Sequence, residues 1–100
     1  VEPEFQFEAE LWRHDGPAAW FFLTLPVDLA EEIGDLTAGS GNAFGSVPVM
    51  AKIGEVSWKT SIFRDRKRSS YLLPVKAAVR KAAGVGDGDV VDCLINLDLV

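Results

Sequence analysis

The sequence predicts a mainly β domain, a small barrel of about six strands with two short helices. Three observations predict it. Apolar and polar residues alternate with the two-residue period of a strand in most of the ordered-looking stretches. Turn-forming residues separate those stretches. The only segments with helical spacing are short, and each follows a Leu-Pro-Val triplet.

Phe5, Phe7, Ala9 and Leu11 face one way while Gln6, Glu8 and Glu10 face the other, which describes a first half-buried strand. His14-Asp15-Gly16-Pro17 supplies turn chemistry, and residues 18–25 form a second strand, expected to pair with the first as a hairpin. Trp20, Phe21 and Phe22 cannot all face one side of it, so either both faces are covered or one ring is exposed; core filling is the expectation. Val47, Val49, Ala51 and Ile53 alternate next, Gly54-Glu55 turns the chain, and Val56, Trp58, Thr60 and Ile62 alternate back as a second hairpin. Residues 71–73 make a short fifth strand. Val91, Cys93, Ile95, Leu97 and Leu99 alternate with Asp92, Asn96 and Asp98 in a sixth. The expected core contains Phe7, Leu11, Phe22, Val49, Trp58 and Ile95.

Both helices are expected to open on a proline that ends a strand, because the missing N–H of proline costs nothing at the first helical position. The first would run from Pro26 to Ile33 and the second from Pro74 to Ala83, with Gly34 and Gly84 as left-handed C-caps. The pattern strand, Leu-Pro-Val, helix, glycine thus occurs twice, 48 residues apart in a chain of 100, and points to an internal duplication.

A length of 100 residues suits a single domain over 1–100 with one hydrophobic core, and no separate catalytic domain is expected within it. Cys93 is the only cysteine, so no intrachain disulfide forms and a reducing cytoplasm is the expected compartment. No uncharged stretch is long enough to cross a bilayer, so no membrane is expected as a partner, and residues 1–6 have no features of a secretion signal. The net charge of −5 is unevenly spread: residues 52–81 carry +7 and the remainder −12. Either acidic and basic strands neutralise one another locally, or the basic segment is a partner surface.

Chemistry-bearing residues are sparse. Lys59 and Ser61, two apart on a strand, point the same way, as a Ser-Lys nucleophile pair requires, but no third group is evident to orient the base. His14 lies in a turn beside Asp15 and is expected to be solvent-exposed. One cysteine and one histidine in distant segments cannot make a structural zinc site. The glycine-rich segment 39–45 is not followed by the Gly-Lys-Ser/Thr of a phosphate-binding loop and reads as a flexible connection. Gly86-Asp87-Gly88-Asp89 reads as a tight turn held by Asp89, since an EF-hand needs a longer run of oxygen ligands. No cofactor is expected.

Trp58-Lys59-Thr60-Ser61-Ile62-Phe63, the segment Tyr71-Leu72-Leu73-Pro74-Val75-Lys76 with its helix through Arg80-Lys81, and Gly88-Asp89-Val90-Val91 resemble the domain of unknown function 1905 family. Leu11-Trp12 and residues 20–26 extend the resemblance over nearly the whole chain. The Leu-Pro, helix, Gly, Gly-Asp-Val run is also similar to AbrB-type swapped-hairpin transcription factors. The resemblance implies a double-split β barrel in a small bacterial protein, and it carries no enzymatic activity with it. It places Trp58, Thr60 and Arg80 near one barrel end, where with Lys59 and Ser61 they form the expected ligand site. The loop Arg64-Asp65-Arg66-Lys67-Arg68-Ser69-Ser70 departs from the acidic or glycine-bearing turn of the family. Its Arg64, Arg66, Lys67 and Arg68 are the expected surface for an anion or a partner.

The leading functional expectation is a non-enzymatic interaction or small-ligand-binding module, a monomer or weak homo-oligomer, taking a small anionic ligand or a protein partner. A nucleic-acid-binding protein related to AbrB-type barrels is the alternative, and a hydrolase or transferase using Lys59 and Ser61 is the third class. Specific binding of duplex DNA is not expected, because four cations in one loop face a body carrying −12.

Overall fold

The computed structural model describes residues 4–38 and 45–98. Seven strands and two helices follow in the order β1 (Glu4–Glu10), β2 (Trp12–Arg13), β3 (Phe21–Thr24), α1 (Val27–Thr37), β4 (Ser46–Ile53), β5 (Val56–Asp65), β6 (Ser70–Pro74), α2 (Ala77–Ala83) and β7 (Val90–Leu97). All strands join one antiparallel sheet in the order β1-β7-β4-β5-β6-β3-β2. Its two outermost strands are consecutive in the chain, separated by Leu11 alone. The sheet therefore curls into a half-barrel. Leu11 is fixed there by backbone hydrogen bonds, its N–H donating to Asp89 O at 2.8 Å and its carbonyl accepting from Gly88 N–H at 2.7 Å.

Strand alternation determines what the curl encloses. Phe5 and Phe7 of β1, Val49 and Ala51 of β4, Trp58 and Ile62 of β5, and Cys93 and Ile95 of β7 turn inward into one continuous core. Ala30 and Ile33 of α1 and Val79 of α2 join the same cluster, so the helices are packed against the barrel by their apolar stripes. The expected β4–β5 hairpin is present in full register from Ser46↔Phe63 to Ile53↔Val56. Asp89 holds the turn before β7, its carboxylate accepting from Gly86 N–H at 2.8 Å. The glycine-rich residues 39–44, and Leu99 of the expected last strand, lie outside the described residues.

Several expectations are corrected. Seven strands replace six because the first does not pair with its neighbour in sequence: β1 runs along β7 from Glu4↔Asn96 to Glu10↔Val90, and only Trp12 and Arg13 pair with β3. The long β7 ladder offers far more backbone hydrogen bonds and buried pairs, such as Phe5↔Ile95, than a local hairpin would. Neither proline opens a helix at its first position. Pro26 occupies the N-cap of α1, and Pro74 is the last residue of β6, paired with Phe22, with Lys76 as the N-cap of α2. Helix α1 also continues through Gly34 to Thr37, whereas Gly84 does cap α2 in the left-handed region at φ 69°. Phe7, Leu11, Val49, Trp58 and Ile95 are buried as expected, but Phe22 is half-buried on the outer face of the sheet.

Acidic and basic strands are not interleaved. Glu8 of β1 stands opposite Asp92 of β7, while the basic residues gather on β5, the β5–β6 turn and α2. Among the described residues the sole ion pair is Arg68 with Asp65, and no helix is long and apolar enough to cross a membrane.

Candidate functional site

The sheet end formed by β5, β6, β3 and β2 carries two adjoining hollows. Its inward positions Leu23, Leu25, Leu73 and Ile62 are buried, so strand alternation sends Phe22, Thr24, Leu72 and Phe63 outward. Trp12 joins them from β2, opposite Phe22.

On this outer face aromatic rings pack on each other instead of under a helix. Trp20 and Phe22 stack with centroids 6.0 Å apart and planes 12° apart, and Trp12 lies 5.3 Å from Phe22. His14 meets both Trp12 and Phe22 edge-on at 6.3 Å. Trp12 is oriented by its Nε1–H, which donates to Thr24 Oγ1 at 2.9 Å. Trp20 remains 52% exposed and Phe63 46%. These side chains floor a basin of about 670 Å³ whose rim is Arg64, Asp65, Lys67 and Arg68. The Arg68 guanidinium lies over the Trp12 ring, 4.5 Å from its centroid, and pairs with the Asp65 carboxylate. The Arg68 hydrogen bond is the main cause holding the Asp65 carboxyl below its usual value, against a smaller desolvation effect. Asp65 also accepts from Lys67 N–H at 3.1 Å, which shapes the basic turn.

The second hollow, a cleft of about 450 Å³, lies between β5, the end of β6 and the start of α2. Trp58, Thr60, Phe21 and Val75 line its apolar part, with Lys59, Lys76 and Arg80 beside them and no carboxylate among the described residues. Arg80 is held on two sides. Its Nε–H donates to Val75 O at 3.2 Å, and its guanidinium carbon sits 3.7 Å from the Phe21 ring centroid. Among the described residues its terminal nitrogens have no protein partner.

The structure therefore brings Trp58, Lys59, Thr60 and Arg80 together around one cleft, and leaves Ser61 out of its lining. Ser61 pairs with Pro48 along the β4–β5 ladder, and its side chain makes no hydrogen bond with Lys59. Of the basic loop, Arg64, Lys67 and Arg68 line the basin and Arg66 does not. The aromatic floor of the basin escapes the sequence reading, which assigns Phe22 to the core and gives Phe63 no role. The parity of β3 is the signal that could have found it: with Leu23 and Leu25 inward, Phe22 must point outward. Cys93 takes no part, being buried in the core with its thiol pushed up to about 12 by desolvation. Among the described residues no cluster of His, Cys, Asp or Glu could hold a metal ion.

The model of a family described as a domain of unknown function, DUF1905, matches residues 7–95. The chain belongs to the DUF1905 family. No curated protein matches it. The DUF1905 match takes in both hollows, from Trp12 of the basin to Arg80 of the cleft, so they are parts of the family domain itself and not of an appended segment.

Proposed function

We propose that this DUF1905 domain is a non-enzymatic binding module that takes a small anion with a flat apolar body in the cleft between β5 and α2. The observation that carries this reading is the composition of the cleft wall: Lys59, Lys76 and Arg80, with no acid among the described residues, around Trp58 and Phe21. A site of about 450 Å³ falls within the usual range for small-molecule pockets, where an apolar lining supplies affinity and a few polar groups fix orientation. Arg80 suits the orienting role. Its Nε is committed to Val75 and its plane rests near Phe21, so little side-chain entropy is lost when its terminal nitrogens meet a carboxylate or phosphate.

A hydrolase or transferase using Lys59 and Ser61 finds less support. A hydroxyl nucleophile needs a base within hydrogen-bond reach and a third group to orient it, and neither contact exists among the described residues. The antiparallel pairing of β3 with β6, which sets Thr24 opposite Leu72 just before the two Leu-Pro-Val segments, supports the double-split barrel as the finer description of the fold. Specific duplex DNA recognition is not proposed, since Arg64, Arg66, Lys67 and Arg68 of the β5–β6 ribbon offer few phosphate contacts against a remainder carrying −12.

Calorimetric titration with indole-3-carboxylate and with adenosine monophosphate, each beside its uncharged analogue, tests the reading. A ligand at 100 times its dissociation constant should also raise stability by about 2.7 kcal/mol. The anions are expected to bind and the neutral analogues to bind at least tenfold more weakly, with Arg80→Met removing the difference. Equal binding of charged and uncharged ligands, or an Arg80→Met protein that binds as before, would refute it.

A further inference from the structure

The cleft and the basin are not separate. Trp20 and Phe63 line both, so the two hollows form one surface with these rings at its middle. One end carries Lys59, Lys76 and Arg80, and the other carries Arg64, Lys67 and Arg68. Among the described residues Asp65 is the only acid lining either hollow, and it is already paired with Arg68. We propose that this surface binds single-stranded nucleic acid, with phosphates at its two basic ends and bases stacked on the aromatic rings between them.

The proposal rests on the reading of the cleft as an anion site and adds the basin to it. Three features favour this occupant. The outward rings present faces, not only edges: Trp20 lies nearly parallel on Phe22 and keeps half its area open, so an unpaired base can extend the stack. A base inside a duplex has both faces covered by its neighbours, which makes single strands the form that can use such a surface. The charge is also placed as a polyanion requires. All six of these cations lie within residues 52–81, which carry +7, so a nucleic acid is attracted at this end alone, while the −12 of the remainder opposes binding elsewhere and keeps the affinity modest. An acidic peptide would satisfy the cations but would leave the row of ring faces without matching groups.

Fluorescence polarisation of a labelled eight-residue oligothymidylate tests it, together with an eight-base-pair duplex, an octaglutamate peptide and adenosine monophosphate. The oligothymidylate is expected to bind in the micromolar range at 50 mM salt and to quench tryptophan emission. Binding should weaken about 50-fold at 200 mM salt if four phosphates are contacted, from a slope of roughly −0.7 per phosphate. Trp20→Ala and Arg68→Ala should each weaken it at least tenfold, and Arg66→Ala, outside both hollows, less than twofold. Trp20 and Arg68 are exposed enough that folding should survive their substitution, which circular dichroism checks. If adenosine monophosphate binds through Arg80 but the oligonucleotide binds no tighter and ignores Trp20→Ala, the shared surface is refuted while the cleft reading stands. If neither ligand binds, both fail. Tighter binding of octaglutamate assigns the surface to an acidic protein, and equal binding of the duplex makes the attraction purely electrostatic; either overturns the proposal. A dimer dissociated by Trp20→Glu would assign the face to a second copy and overturn it as well.

Discussion

Thr24 and Leu72 stand opposite each other in the β3–β6 ladder, and each is followed directly by Leu-Pro-Val. Because the triplets are 48 residues apart and these two residues are likewise 48 apart, the pair marks a local twofold axis. Backbone hydrogen bonds continue the register on both sides of it: Leu25 N–H donates to Tyr71 O at 3.0 Å on one side, and Val75 N–H donates to Phe21 O at 2.9 Å on the other. Each strand then passes through its proline into a helix, α1 or α2. The side chains on the axis break the symmetry. Leu72 gives the basin an apolar floor, whereas Thr24 gives Trp12 a hydrogen-bond acceptor.

Replacing that acceptor should therefore loosen the aromatic face without disturbing the core. Thr24→Val keeps the branched shape but leaves the part-buried Trp12 Nε1–H without its protein partner, at an expected cost of about 1 kcal/mol in urea unfolding. Tryptophan emission of the folded variant should change too. Unchanged stability and emission would show that the hydrogen bond does not orient the indole.

Two apolar side chains whose sequence contexts look alike should respond very differently to truncation. Leu11 is fully buried where the two ends of the sheet meet, so Leu11→Ala is expected to cost about 2 to 5 kcal/mol in urea unfolding. Phe22 packs against Trp12, Trp20 and His14 on the outer face, and Phe22→Ala should cost about 1 kcal/mol. A larger loss for Phe22 than for Leu11 would place Phe22 in the core.

That contrast shows which parts of the molecule its sequence reveals. The β4–β5 hairpin is legible because partner, turn and alternation lie within one stretch, Val47 to Ile62 around Gly54-Glu55. The partner of β1 is not, since alternation specifies a face and never a neighbour, and β7 lies at the far end of the chain. Of the site, the cations are visible as a charge run and Trp58, Lys59 and Thr60 as a strand. The basin is hidden because its rings come from β2, β3 and β5, which only the strand order β5-β6-β3-β2 brings onto one face. Trp20-Phe21-Phe22 compounds the difficulty, as three apolar residues in sequence fit either strand parity.

Gly34 and Gly84 read identically in the sequence, each after an apolar helical stretch, and the structure gives them opposite roles. Gly84 sits at φ 69°, and its N–H bonds back to carbonyls of the last turn of α2, a conformation that costs little only without a Cβ. Gly34 lies inside α1, where it offers no side chain and keeps the greatest backbone freedom in the unfolded chain. A Cβ built on Gly34 meets nothing within 4 Å, so an alanine there has room. Gly34→Ala should stabilise the protein by about 0.4 to 1 kcal/mol, through the loss of unfolded-state entropy. Gly84→Ala has equal space, yet it should destabilise by about 1 kcal/mol because its backbone must stay left-handed. For a domain of this size, each change should move the melting temperature by several degrees in opposite directions, roughly 4 to 8 °C per kcal/mol. Destabilisation by Gly34→Ala would mean that α1 stops at Ile33 and that Gly34 caps it in the left-handed region, as Gly84 caps α2.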